Sequence, residues 1–410
     1  MKRRLHVSLI LLFGAILLFN FQNCGQFETP KVAVSDDGSN FQLMPKDYFP
    51  MTTWEDDFPA PQKVTDCRTN SEFNLCLTYK DPLSMVGTVL RPEFTVDSAL
   101  PAHEDAVFVW GVKAPTTPLR NSHFVIDNGW TSYTDVALTS NGDWKHAFRG
   151  DTNHNVAQLH MFYWVNRLRT YLTKRSGKFY YSRLAAPLRA HLQHTIDPDI
   201  DDAANNNAFF YLGDNSINAG YSTLNRATPA DAALDLSAIV HEAGHGNLHI
   251  ATNEAVGSAS SFCSTKSGCF GAIHEGVGDL HSLFMFPDRA PIIGAYFANS
   301  MSGLRNIGIG ANRTVGYYWT KSYPNGEIHD MGEAYASVWY QVWKSFQATG
   351  EERQIEQLFT DHLAFVSTAD TFTTMLRSIE TLAKSGNYPN PTAITTAFRA
   401  QYARMGIPQP

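Results

Sequence analysis

Two histidines four residues apart, with a glutamate directly after the first, are the strongest chemical signal in the sequence. The segment LSAIVHEAGHGNLHI (236–250) contains His241-Glu242-x-x-His245. Residues four apart lie on one face of a helix, so both imidazoles can reach one metal ion. Zinc binds imidazole and carboxylate groups, and a catalytic zinc site keeps one position for water. The pattern predicts one catalytic Zn2+ bound by His241 and His245, with Glu242 acting on the water.

A third histidine in the same segment does not complete the site. His249 lies eight residues beyond His241, a helical rise of roughly 12 Å that one ion cannot bridge. The related pattern HExxHxxGxxH would place a ligand at position 251, which is Ala251. We therefore interpret His249 as a surface residue or as a residue that supports the site without binding the metal.

A second acidic segment offers the missing ligand. GAIHEGVGDLHSLF (271–284) contains Glu275 and Asp279, again four apart. Glu275 can complete a His-His-Glu zinc site. Asp279 can hold the far nitrogen of a zinc histidine and fix its tautomer. The alternative is a pair of solvated acids on an amphipathic helix.

These segments must be positioned by a mixed framework. Short β-rich runs separated by turn residues predict a β-rich N-terminal domain over 51–153. From Asn155 the pattern becomes helical, with an apolar stripe at Met161, Val165, Leu168 and Leu172. NNNAFFYLGD (205–214) is a strand candidate, and most of the chain after the HExxH segment has helical periodicity. The fold class expected is α+β, with a catalytic domain over 154–410.

The N-terminus predicts export. Lys2, Arg3 and Arg4 precede an apolar run over about 7–19, which is too short to span a membrane as a helix. Cys24 follows, as in bacterial lipoprotein signals, where that cysteine is lipidated. We predict a signal peptide over 1–23 and a lipid-anchored tether over 24–50, with the protein in the periplasm or at the cell surface. An ordinary cleaved signal and a secreted protein is the alternative.

Cysteine usage agrees with export. Excluding Cys24, four cysteines remain in two close pairs. An even number in an exported protein indicates disulfides, and local pairing, Cys67–Cys76 and Cys263–Cys269, is the simplest of three connectivities. Neither pair has the CxxC spacing of a metal site.

Bulk composition excludes one class of partner. The formal charge is −7 and no Lys/Arg-rich block occurs, so a nucleic-acid partner is not expected. Hydrophobic residues make up 43% of the chain, which is ordinary for a folded globular protein.

HEAGHG together with GAIHEGVGDLHSLF resembles the fungalysin-like and thermolysin-like zinc peptidases (gluzincins). In those families a Glu-x-x-x-Asp helix supplies the third ligand and its hydrogen-bonding partner, here Glu275 and Asp279. Residues 246–274 separate the two motifs, a longer interval than in thermolysin and closer to the fungalysin pattern. The resemblance covers about 155–404. It implies a mixed N-terminal lobe, with a sheet and the HExxH helix, and a mainly helical C-terminal lobe.

Three further matches extend the resemblance, of which the last, around His329, is specific and the other two are weaker. LHMFYWVNRLRTYL is similar to the helix that opens the fungalysin catalytic core. NNAFF (206–210) resembles the edge strand that pairs with an extended substrate, which implies that Asn207 and Ala208 contact the peptide; a plain structural strand is the alternative. EIHDMGEAYASVWYQVW resembles the fungalysin segment whose histidine, here His329, stabilises the transition state.

Three departures from the family pattern are visible. Residues 246–274 contain no tyrosine, so a second oxyanion donor is unassigned. Gly278 stands where these families often have serine. No typical fungalysin propeptide precedes Asn155.

The residues and the resemblance together predict a monomeric, exported zinc endopeptidase acting on proteins or peptides. Calcium binding is left open. Two alternatives remain: an exopeptidase of the same zinc class, and a non-catalytic surface lipoprotein that uses this fold to bind a partner.

Overall fold

The computed structural model describes the chain mainly from residue 206 onward. The described residues are 62–63, 74–78, 106–110, 124–127, 161–162, 164–166, 168–169, 171–173, 180, 188–192, 206–211, 215–222, 224, 230–252, 261–285, 291–298, 300, 302–386 and 388–410. No helix formed by these residues is long and apolar enough to cross a membrane. The predicted signal peptide, the tether, Cys24 and Cys67 lie outside them.

Among the described residues, a three-stranded and a four-stranded sheet precede the HExxH helix. Strands β1 (Gln62–Lys63), β2 (Asn74–Thr78) and β3 (Ala106–Trp110) pair antiparallel in the order β1-β3-β2. A four-stranded sheet has the order β4-β5-β7-β6, formed by β4 (Phe124–Asp127), β5 (Leu188–Leu192), β6 (Ala208–Tyr211) and β7 (Ser216–Ala219). Strands β4, β5 and β7 run parallel, and β6 pairs with β7 antiparallel at the edge of the sheet.

Strand β4 connects the two predicted domains through strand pairing. It lies within 51–153, the segment predicted as a separate N-terminal domain, yet it pairs with β5. The boundary between the two domains stays a prediction. The described residues of 161–171 are helical, and the predicted stripe of Met161, Val165, Leu168 and Leu172 is buried.

Two long buried helices follow. Helix α1 (Leu236–Thr252) packs against α2 (Phe270–Met285). Helix α1 begins after Asp235, whose buried carboxylate accepts the backbone N–H groups of Ser237 at 3.0 Å and Ala238 at 3.1 Å. This is an N-cap, which satisfies donors that have no partner within the helix. The chain therefore starts α1 at Leu236, five residues before His241.

The remaining chain is mostly helical. The described residues also form two short antiparallel pairs: β8 (Tyr221–Ser222) with β9 (Ala230–Asp231) before α1, and β10 (Ile292–Ile293) with β11 (Arg305–Asn306) after α2. The helices are α3 (Ala295–Ala298), α4 (Val315–Lys321), α5 (Ile328–Gln347), α6 (Glu352–Leu363), α7 (Phe372–Ser385) and α8 (Pro391–Met405), with 3-10 turns at Ala232–Leu234 and Ile307–Asn312.

An aromatic core holds the helical lobe together. Trp339 on α5 is fully buried, with ring centroids 4.6 Å from Phe398 on α8 and 5.4 Å from Phe359 on α6. Helix α5 also packs along α2, which in turn packs along α1. The predicted α+β class, with a small sheet before a mainly helical C-terminal region, is confirmed.

Candidate metal centre and active site

Three buried side chains from two helices converge on one point. His241 and His245 lie one turn apart on α1, and Glu275 lies on α2. The Nε2 atom of His241 is 3.4 Å from one carboxylate oxygen of Glu275, and Nε2 of His245 is 3.6 Å from the other. One ligand atom from each residue lies within 4.8 Å of the other two. His249, on the same helix, is outside this group.

The donor set fits zinc. Two imidazole nitrogens and a carboxylate oxygen are zinc ligands, and tetrahedral bonds of about 2.0–2.2 Å space the ligand atoms by roughly 3.4 Å. Within the described part of the chain, Nε2 of His245 and Oε2 of Glu275 are buried without a hydrogen-bond partner. Buried polar atoms without partners cost free energy, and a bound cation would satisfy both.

The protonation of the three groups is set by burial and by their neighbours. Burial and the charge of Arg305 lower the pKa of His241, but the carboxylates of Asp279 and Glu275 outweigh them and raise it to about 9. Burial holds the pKa of His245 well below its usual value. Burial raises the pKa of Glu275, but the charge of His329 opposes it, and the net pKa lies well below the usual range.

Asp279 contacts His241 at the ring nitrogen that faces away from the candidate metal position. Its Oδ1 atom lies 2.8 Å from Nδ1 of His241, the contact predicted from the spacing. The same oxygen accepts Nε of Arg305 at 3.1 Å and Nη2 at 2.8 Å. Arg305 on β11 also places Nη2 3.2 Å from Nδ1 of His241. Arg305 belongs to no sequence motif and lies 26 residues beyond Asp279, so no pattern in the sequence predicts its place in the site.

Glycines let the site-bearing helices approach closely. A Cβ on Gly278 would lie 2.6 Å from Nδ1 of His241. The glycine found where serine is frequent in the resembled families is therefore required by the position of this ring. A Cβ on Gly332 of α5 would lie 2.6 Å from Cβ of Glu275 and 3.0 Å from the backbone nitrogen of Gly276. This crossing brings α5 against the metal-site helix.

Glu242 faces a pocket beside the three candidate ligands. Its Oε2 lies 3.9 Å from Nε2 of His245 and has no hydrogen-bond partner among the residues described. Burial, the largest influence, raises the pKa of Glu242 to about 8, so this carboxyl group can exchange a proton near neutral pH. The pocket is lined by Asn207, Ala208, Ala238, His241, Glu242, Ile293, Phe297, Leu304, Arg305 and His329. The predicted substrate residues, the predicted base and His329 thus share one pocket.

His329 is oriented by a carboxylate that the sequence analysis did not single out. It lies in the first turn of α5, with Nε2 3.4 Å from Oε2 of Glu275. Its Nδ1 atom lies 2.5 Å from Oε1 of Glu327. Although burial raises the pKa of Glu327, the charge and hydrogen bond of His329 lower it below its usual value. An ionised Glu327 accepts the Nδ1–H group and directs Nε2 into the site.

The disulfide loop supports the same region. Cys263 and Cys269 form a disulfide just before α2 begins. The backbone N–H of Cys263 donates to the carbonyl of Gly326 at 2.7 Å, and that of Ile328 donates to Ser261 at 3.2 Å. The disulfide-containing segment before α2 is therefore hydrogen-bonded to the segment that carries Glu327 and His329. The Cys67–Cys76 pairing includes Cys67, outside the described residues.

Another imidazole, His274, borders the metal centre. It directly precedes Glu275 on α2, and its ring stacks on His245 with centroids 4.3 Å apart and planes 18° apart. His274 was not among the predicted site residues, although it stands in the same segment as Glu275 and Asp279. Its position next to the candidate ligand Glu275 was the feature of the sequence that could have indicated a role in the site.

The chain resembles known metallopeptidases in sequence and in fold. The profile of the family described as fungalysin metallopeptidase (M36) matches residues 132–394. Among solved structures, the chain is similar to the precursor of protealysin, a metalloproteinase from Serratia proteamaculans. The identity is 15%, the match covers 63% of this chain and 81% of that chain, and the TM-score is 0.45. No curated protein matches the chain.

Proposed function

The chain belongs to the fungalysin metallopeptidase family (M36), and from this premise we propose that it is an exported zinc endopeptidase that hydrolyses peptide bonds within protein substrates. The observation that carries the proposal is the convergence of His241, His245 and Glu275 beside Glu242. Family membership supports peptide-bond hydrolysis by a metal-dependent enzyme. The choice of zinc rests on the donor set.

His241, His245 and Glu275 would hold the zinc ion. When bound, zinc would lower the pKa of a water molecule and polarise the carbonyl group of the scissile bond. Asp279 accepts the Nδ1–H of His241, which leaves Nε2 of that ring free to face the metal. The glycine at position 278 leaves room for the ring in this orientation.

Glu242 is the proposed proton carrier. Its Oε2 atom faces the pocket without a hydrogen-bond partner in the described part of the chain. Burial raises the pKa of Glu242 and so makes its carboxylate a better proton acceptor than an exposed glutamate, able to accept a proton from the attacking water and pass it to the leaving amine. The burial that raises this pKa is thus part of the proposed chemistry.

His329 is the proposed donor to the oxyanion. The carboxylate of Glu327 fixes the Nδ1–H group, so Nε2 can donate a hydrogen bond in the pocket. A donor aimed at a developing oxyanion can be worth about 2.7–4 kcal/mol.

An extended peptide could be held along β6. This strand is at the edge of the four-stranded sheet, and Asn207 and Ala208 at its start line the pocket. We propose that the peptide backbone pairs with this strand and that Asn207 and Ala208 contact it.

Export and membrane anchoring are also proposed. They are supported by the basic N-terminus, the apolar run that follows it, and Cys24. A disulfide between Cys263 and Cys269 agrees with folding in an oxidising compartment. We propose that the enzyme acts as a monomer.

Glu242→Gln is the decisive variant. It keeps the size of the side chain but cannot carry the proton. We expect the variant to bind one zinc per chain, measured by metal analysis, and to lose casein hydrolysis. A control, Glu351→Gln at the start of α6, should retain full activity.

Mass mapping of the casein products then separates the possible activities. Internal cleavage sites support an endopeptidase, whereas stepwise removal of terminal residues would identify an exopeptidase. A zinc-loaded wild-type chain with no hydrolysis, or a Glu242→Gln variant as active as the wild type, would reject the proposed mechanism.

A further inference from the structure

The two candidate zinc histidines are held in different ways. His241 has the carboxylate of Asp279 on its Nδ1 atom. Nδ1 of His245 is buried and has no hydrogen-bond partner among the residues that the structure describes. Metal-binding histidines almost always have their second nitrogen fixed by a carboxylate, a carbonyl or a water. Among the described residues, contacts with neighbouring rings and not a hydrogen bond define the ring plane of His245.

Packing against two other imidazoles fills this role. The rings of His241 and His245 form a T-shaped pair, with centroids 4.3 Å apart and an interplanar angle of 81°. The ring of His274 lies nearly parallel to that of His245, at 4.3 Å and 18°. A parallel ring at this distance blocks rotation of the His245 imidazole out of its plane, because the tilted ring would collide with it.

His274 is itself well fixed. Its side chain is 7% exposed, and its other neighbour on the helix is Phe270, whose ring centroid lies 5.8 Å away. The Nε2 atom of His274 has no hydrogen-bond partner in the described structure. The ring therefore acts on His245 through its flat surface, and the proposed hydrolytic steps give it no other task.

We propose that His274 is a positioning residue of the metal centre, which stacks on His245 and fixes the ring plane that directs Nε2 toward the metal. Because His274 and Glu275 are consecutive on α2, one helical segment then positions two of the three ligands. The inference rests on the proposed zinc site and adds to it a residue that does not itself bind the ion.

Two substitutions separate stacking from other roles. His274→Ala removes the ring, whereas His274→Phe keeps a flat ring without nitrogen atoms. Zinc affinity of the purified, metal-depleted full chain is measured by competition with a chromophoric chelator. We expect the Ala variant to bind zinc about tenfold more weakly, the lower end of the usual effect of removing a residue that orients a ligand. The Phe variant should stay within about threefold of the wild type, a margin well inside that effect.

Two further measurements distinguish positioning from general destabilisation. Urea unfolding of the metal-free chains reports the cost of the cavity in the Ala variant. The visible spectrum of the Co2+-loaded chains reports ligand geometry, and it should change in the Ala variant but not in the Phe variant. Phe365→Ala, which removes an exposed aromatic ring in the helical lobe, should leave the affinity and the spectrum unchanged.

The outcomes are separable from those that test the function. A wild-type chain that binds no zinc rejects the proposed function, and this inference with it. If the wild type binds zinc and His274→Ala binds it equally tightly, only the inference fails. A His274→Phe variant as weak as His274→Ala also overturns it, because the imidazole nitrogens and not the stacked surface would then be required.

Discussion

The carboxylate of Asp279 lies 2.8 Å from Nδ1 of His241, and Arg305 shares the same oxygen atom. Asp279→Asn keeps the shape of the side chain but removes the negative charge that the Arg305 guanidinium and the His241 ring share. We expect the zinc dissociation constant to rise about 10–100-fold, the usual effect of losing such a partner. Chelator competition on the metal-depleted chain measures it.

Glu380→Gln is the matched control for this charge removal. Glu380 is a buried carboxylate that pairs with Arg399 in the helical lobe. Its loss should leave zinc affinity unchanged. Asp279→Asn with wild-type affinity would contradict the role given to Asp279.

Gly278→Ala should displace a ligand without unfolding the protein. The added Cβ would lie 2.6 Å from Nδ1 and 2.7 Å from Cε1 of His241, closer than carbon atoms approach. The imidazole must move, because the backbone of α2 is held by its own helix. We expect weaker zinc binding and a loss of stability of about 1–3 kcal/mol, typical of overpacking. Gly316→Ala in α4, where the nearest atom is 3.6 Å away, should leave zinc binding unchanged.

Local spacing explains why half of the site could be predicted from the sequence. His241 and His245 are one helical turn apart, as are Glu275 and Asp279, so each pair shares a helix face whatever the rest of the fold does. Axial rise alone also excluded His249. That the two pairs form one metal site was predicted with the help of the resemblance to the zinc peptidases. Residues 246–274, which lie between the pairs, have no periodicity that fixes the distance between the two helices.

The remaining contacts depend on distances between elements. Arg305 stands on a two-residue strand, and nothing in its neighbourhood predicts that its guanidinium reaches Asp279. The need for glycine at position 278 follows from the separation of α1 and α2, which the sequence does not contain. His274 is adjacent to a ligand, but its stacking on His245 joins two helices and becomes visible only in the fold.

His362 should make the helical lobe sensitive to acid. Its side chain is fully buried, with Nε2 3.1 Å from the sulfur of Met375, and burial lowers its pKa to about 3. In the unfolded chain its pKa is about 6.5. Between pH 6.5 and 3 only the unfolded chain binds this proton, so stability falls as the pH falls, by about 1.4 kcal/mol per pH unit. Above pH 6.5 the residue is neutral in both states and has no such effect.

His362→Leu removes the titrating group and keeps an apolar side chain in place. We expect the wild type to lose about 2 kcal/mol more than the variant between pH 7 and pH 5, measured by urea unfolding of the metal-free chains. Equal losses in the two proteins would show that His362 does not carry this pH dependence.

Glu327→Gln should lower turnover through His329 alone. Glu327 accepts Nδ1–H of His329 and also caps α5 by accepting the backbone N–H of Asp330 at 3.0 Å. A glutamine oxygen can still cap the helix, so the unfolding free energy should change by less than about 1 kcal/mol. Loss of the charge weakens the hydrogen bond to the His329 imidazole, so this ring is oriented less well. We expect kcat to fall about tenfold, which is less than the 10²–10³-fold decrease expected for His329→Asn.

The double variant tests whether the two residues act as one unit. If Glu327 acts only by orienting His329, the Glu327→Gln/His329→Asn chain should be no slower than His329→Asn alone, because the orienting group has nothing left to orient. Peptide hydrolysis by the zinc-loaded single and double variants gives the four rate constants of the cycle. Multiplicative losses in the double variant would mean that Glu327 affects turnover by a separate route, for example by placing the Gly326 and Ile328 backbone that pairs with the disulfide loop.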